Sequence, residues 1–182
     1  HGSKSTKSEL MHFDMPSMNE LNKELAQDNK ELKQDLKEAM KKAEEAKNEL
    51  QNMKDKLQEK QNLNWEDKKN LTQNIEKQKE LQQQLEEIKK KFEDNLEKQN
   101  EFKEVTEEVA QKQERLQELF EQLMNKEMKE MMEKLQKMLE ELQKKDALDK
   151  MEDMQANNEK MEKELDRMLE LFKKMEFNQK LE

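Results

Sequence analysis

The sequence contains no cysteine, no tyrosine, one glycine, one proline and one tryptophan in 182 residues. Without cysteine there are no disulfides and no thiolate metal sites, and the compartment is left open. One glycine excludes a glycine-rich phosphate loop. With one proline beside it, helix breakers are nearly absent. Hydrophobic residues are scarce at 31 % against 45 % charged, and the mean hydropathy is −1.48. No apolar run is long enough to span a bilayer, and no signal-peptide pattern is visible. Clustered positive charge is also missing. The net charge is −9 with Lys and Glu intermixed, which argues against nucleic acid and against contact with an anionic membrane surface.

What is present is Lys, Glu, Gln, Leu and Met, all good helix formers. High charge alone suggests disorder, but the scarce apolar residues recur at heptad spacing, which points to long helices with narrow seams. The densest stretch is 116–142. Leu116, Leu119, Phe120, Leu123, Met124, Met128, Met131, Met132, Leu135, Met138, Leu139 and Leu142 fall in steps of three and four, so they share one helix face. That face is wider than the two-column seam of a plain coiled coil and calls for several partner helices, or for one partner and a ligand.

Taken in order, residues 1–16 have no helical period and read as a tag remnant and disordered leader, with His1-Gly2-Ser3 in place of Met at the start. The chain therefore reads as an excised fragment. Ser17 and Glu20 fit a capping box that opens a first helix over 17–62. Its seam runs Asn29, Leu32, Leu36, Ala39, Ala43, Ala46, Leu50, Met53 and Leu57. The three alanines thin it, so a partner helix approaches closely and little area is buried. Asn29 either fixes register or is a tolerated polar residue.

A break follows at Leu63-Asn64-Trp65-Glu66-Asp67, with Asn64 as N-cap and two acids in the first turn. Trp65 reads as a seal over the bend, with a partner-docking anchor as the alternative. A long helix is predicted over 65–144, thin-seamed at first (Leu71, Ile75, Leu81, Leu85, Ile88, Phe92, Leu96, Phe102, Val105, Val109, with Gln78 and Gln99 filling gaps) and dense after 116. Lys144, Lys145 and Asp146 mark the second break. The last helix, 147–182, carries Leu148, Met151, Met154, Met161, Leu165, Met168, Phe172 and Met175, broadened by Leu169, Leu171 and Phe177.

At ~1.5 Å per residue these helices are roughly 70, 120 and 55 Å long. The outer two together nearly match the middle one. The pattern predicts an all-α, elongated antiparallel coiled coil of three long helices folded back in a Z. Its Met-rich end is dense enough to dimerise as a four-helix assembly of two chains. The predicted interface comprises Leu116, Leu119, Phe120, Leu123, Met124, Met128, Met131, Met132, Leu135, Met138, Leu142, Met161, Leu165, Met168, Phe172 and Met175. The rival architecture is a parallel oligomer with helices running straight through both breaks.

No chemistry is expected. A ribbon of helices offers no pocket to orient groups or shift their pKa values, and the two imidazoles, His1 and His12, fall in the leader. No cofactor and no metal is anticipated. The fifteen methionines read first as interface packing. The alternatives are an adaptable groove for apolar segments and a thioether site for a soft metal such as Cu(I).

Several stretches stand out together: Asn64-Trp65-Glu66-Asp67-Lys68-Lys69, Leu116-Gln117-Glu118-Leu119-Phe120-Glu121, Glu127-Met128-Lys129-Glu130-Met131-Met132-Glu133, and Leu165-Asp166-Arg167-Met168-Leu169-Glu170-Leu171-Phe172. Over about residues 16–182 the chain resembles the central coiled-coil region of a family of large, uncharacterised, membrane-anchored proteins of Gram-negative bacteria. That resemblance implies a cell-envelope location, an extracytoplasmic helical part and an interaction or scaffold role. It implies no catalytic residues. The expected function is thus a structural and interaction module, a spacer or assembly scaffold that associates with itself and with a further protein. The alternative is a chaperone-like holder that grips apolar peptides in its Met-rich helices.

Overall fold

The computed structural model describes residues 17–60, 64–102, 105–123, 130, 133, 137 and 144–179, with 144–146 and 176–179 by backbone alone. The chain is all-helical, and among the described residues there is no strand. The helices are α1 (Met18–Gln58), α2 (Trp65–Phe102), α3 (Glu107–Leu123) and α4 (Lys144–Gln179). Glu130, Glu133 and Lys137 are also helical and exposed.

The starts of α1 and α2 follow from their caps. Ser17 Oγ accepts from the Glu20 N–H while the Ser17 N–H donates to Glu20 Oε2, so orphan donors of the first turn are satisfied reciprocally. Asn64 does the same with Asp67. The Asp67 N–H donates to Asn64 Oδ1 at 2.8 Å, and the Asn64 N–H donates to Asp67 Oδ2 at 3.1 Å. Lys60, just beyond the end of α1, pairs with Asp67 at 2.6 Å and ties the two helix ends together. Burial pushes the Asp67 carboxyl up, but Lys60 and the Asn64 N–H outweigh it and hold the group below its ordinary value. Trp65 does not seal this bend. Its ring is 76 % exposed, and Lys69 lies over it at 5.4 Å.

The helix predicted over 65–144 is not continuous. α2 ends at Phe102, and α3 starts at Glu107 and runs back along α2, with Phe120 against Phe92 and Gln113 donating to Gln99. Glu107 and Glu108 put negative charge in the first turn of α3, where the helix dipole favours it, and the Thr106 carbonyl accepts from the Ala110 N–H. The described part of α4 starts at Lys144, so residues 144–146, predicted as a break, are helical.

α1 and α2 are antiparallel: Lys98 pairs with Glu24 and Asp28, Lys91 with Asp35, and Lys77 with Glu49. α1 and α4 are antiparallel too: Lys54 pairs with Glu152, Gln155 with Gln51, and Lys47 with Glu162. α3 packs on α2 and α4. Among the described residues the neighbours therefore run α1–α2–α3–α4 and back to α1, an up-down-up-down ring, and across it Phe92 of α2 meets Phe172 of α4. This replaces the Z. The third predicted helix does lie against the start of the dense stripe, but its longest partner is α1, and the straight parallel oligomer is excluded by the same pairings. With α1 and α4 antiparallel, Met18 and Gln179 lie at the same end of the bundle.

Candidate functional site

The candidate site is the buried surface along which the helices associate. On α1 the buried positions are Leu21, Leu25, Asn29, Leu32, Leu36, Ala39, Ala43, Ala46, Leu50 and Leu57. From Asn29 onward they keep the predicted alternation of three and four. On α4 the buried run Ala147, Met151, Met154, Asn158, Met161, Leu165, Met168, Phe172 and Met175 keeps it without a slip. Met40, Met53, Leu148 and Leu171 flank this core, half-buried.

Of the residues predicted to join two chains, Leu116, Leu119, Phe120, Leu123, Met161, Leu165, Met168, Phe172 and Met175 are buried within this one chain. At these described positions the covering helices belong to the same chain. Met124, Met128, Met131, Met132, Leu135, Met138 and Leu142 lie outside the described residues. The structure brings the first group together around an aromatic layer. The Phe92 ring sits 5.4 Å from Phe120, tilted at 33°, and 5.4 Å from Phe172, edge-on at 71°. This layer joins α2, α3 and α4 at the level where Lys91 reaches Asp35 of α1.

Two sets of polar core residues were read in the sequence only as gap-fillers (Gln78, Gln99) or not at all (Asn74, Asn95, Gln113, Asn158). Toward the Met18 end, Gln113 Nε2 donates to Gln99 Oε1 at 3.2 Å, and Gln99 Nε2 donates to Asn95 Oδ1 at 2.6 Å. Gln99 was expected only to fill a gap, yet it is the middle of this amide chain between α2 and α3. Farther along, Asn74, Gln78 and Asn158 are buried at the level of Ala46 of α1. The available signal was their heptad placement: Asn74, Gln78, Asn95 and Gln99 continue the steps of three and four set by Leu71, Leu81, Leu85, Ile88 and Phe92.

The outer faces are charged and cross-linked. Hydrogen bonds to Glu24 and Asp28 raise Lys98 above the ordinary lysine value, a bond to Asp35 raises Lys91, and a bond to Glu162 raises Lys47. A groove of 290 Å³ runs between α1 and α2, lined by Asp35, Lys42, Gln84, Glu87, Ile88 and Lys91. It is spanned by the Lys91–Asp35 and Lys42–Gln84 bonds. Among the described residues no group of three or more His, Cys, Asp or Glu side chains could hold a metal ion, and His1 and His12 lie outside them. No described helix is long and apolar enough to cross a membrane. What the described residues share is the packing of helices against one another. Compared with protein families, with curated protein sequences and with solved structures, the chain matches none.

Proposed function

We propose that the chain is a structural and interaction module, an assembly scaffold that acts through helix–helix association. One observation carries the reading: heptad seams on all four helices bury against each other while the outward faces are Lys, Glu and Gln. Each fully buried Leu or Phe contributes about 1.5–3 kcal/mol, and the chain directs that contribution to joining helices. The family resemblance supports placing the chain in the cell envelope, where cell fractionation of the full-length protein tests it.

The proposed self-association follows from the same seams. Met161, Leu165, Met168, Phe172 and Met175 already have in-chain partners. A second copy therefore enters by exchanging α4, not by docking on a free face. Light scattering over a range of concentrations reads this: a slowly interconverting dimer supports exchange, and a monomer throughout overturns it. The holder reading requires the Met residues of α4 to leave the core before a peptide binds. Small-angle scattering with and without an apolar helical peptide separates the two. A particle about 60 Å long that is unchanged by peptide supports the scaffold. Peptide-dependent expansion overturns it in favour of the holder.

A further inference from the structure

We propose that Asn74, Gln78 and Asn158 form an internal water-binding layer, and that the bundle opens first at this layer. The three side chains come from α2 and α4 to one level of α1. Asn74 Nδ2 donates to the Ala46 carbonyl at 3.3 Å and to Glu49. Gln78 follows one turn later on the same face of α2. Asn158 sits between Gln155, bonded to Gln51, and Glu162, bonded to Lys47, so it lies level with α1 residues 47–51. All three residues are at most 1 % exposed.

Five of their polar atoms have no hydrogen-bond partner: Asn74 Oδ1, Gln78 Nε2 and Oε1, and Asn158 Nδ2 and Oδ1. A buried amide atom without a partner costs about 1–3 kcal/mol, so a cluster of them is untenable without a ligand. The unpaired set mixes two donors with three acceptors, and exchanging O and N of Gln78 or Asn158 leaves that balance intact because both ends of each amide are unpaired. An anion serves donors only and a cation serves acceptors only. Water donates twice and accepts twice, and buried water typically makes two to four bonds to such groups. The neighbouring Ala43 and Ala46 of α1 bury little apolar area, so that helix contributes few apolar contacts at the layer. Such regions lie at the low-stability end of a fold.

Two measurements on the full chain test the layer. Water-selective nuclear Overhauser spectra of the unaltered chain are expected to show cross-peaks from long-lived water to the side-chain amides of Gln78 and Asn158. Their absence overturns the water site. In the double variant Gln78→Leu/Asn158→Leu, backbone amide exchange at 46–50 and 154–161 is expected to slow by about tenfold or more, with no change around Phe92 and Phe172. Faster exchange there means that the amides satisfy one another directly and lock the layer, which overturns the proposal. If the double variant does not fold, the single Gln78→Met variant is read in the same way, slower exchange supporting the layer and faster exchange overturning it.

Discussion

Two layers of the bundle are equally buried and differently built. In one, Phe92, Phe120 and Phe172 from three helices meet ring to ring. In the other, Asn74, Gln78 and Asn158 lie at the level of Ala46 of α1, one turn from Ala43. Every one of these residues is nearly inaccessible, yet the first layer removes large apolar area from water and the second removes little apolar area and several amides. Fractional burial therefore does not measure stabilisation. What matters is which atoms are buried and whether the polar ones are paired.

The strongest way to break the contrast is to empty the aromatic layer. Phe92→Ala deletes the ring that touches both others and is expected to cost about 3–5 kcal/mol, read as a lower midpoint in urea unfolding. A loss below that of an ordinary surface change would show that the three rings do not anchor the fold. The second test crowds the thin layer. Ala43→Leu is expected to cost about 1–3 kcal/mol, because Ala43 is fully buried and an added side chain there forces strain. A stabilised variant would mean that the layer is loose enough to be filled.

A change outside both layers sets the scale. Asn64→Ala removes the reciprocal cap of α2 and is expected to cost about 1 kcal/mol in thermal unfolding. The smallest effects belong to the tethers, at about 0.2–1 kcal/mol each. Lys47→Gln in the thin layer is expected to cost more than Lys98→Gln at the Met18 end, because the Lys47 side chain is 22 % exposed and that of Lys98 is 37 % exposed. Both losses should shrink in high salt. Their pH dependence has a definite sign. The folded pKa of both lysines is raised above 10.5. Their contribution is complete below that value and is lost as pH rises through the raised one. Thermal melts should fall at alkaline pH in the unaltered chain and fall less in the Lys47→Gln/Lys98→Gln double variant.

Much of this was legible in the residues. The capping pairs Ser17/Glu20 and Asn64/Asp67 and the seams of α1 and α4 follow from local spacing, and local spacing is what a sequence records directly. The reversal between α2 and α3 was not, because Phe102, Val105 and Val109 keep helical steps of three and four across it and no Gly or Pro interrupts them. Only Thr106 followed by Glu107 and Glu108 marks a new start. The same gap hid the partner of the broad stripe. Heptad spacing states that a face is covered but not whether the covering helix belongs to the same chain, so residues such as Phe120 and Met168 were assigned to a second copy. Trp65 illustrates the converse, since a lone aromatic beside a bend suggests a lid and the capping side chains closed the corner without it.

The antiparallel pairing of α1 with α4 has a mechanical consequence. Tension applied through residues 17 and 179 meets α1 and α4 at the same end, so it peels them apart rung by rung and does not shear all their contacts together. The first rungs it meets are those nearest the aromatic cluster, which would act as the catch. Once Phe172 is freed, the weaker alanine-lined stretch beyond it offers less resistance, and the module should yield abruptly under load.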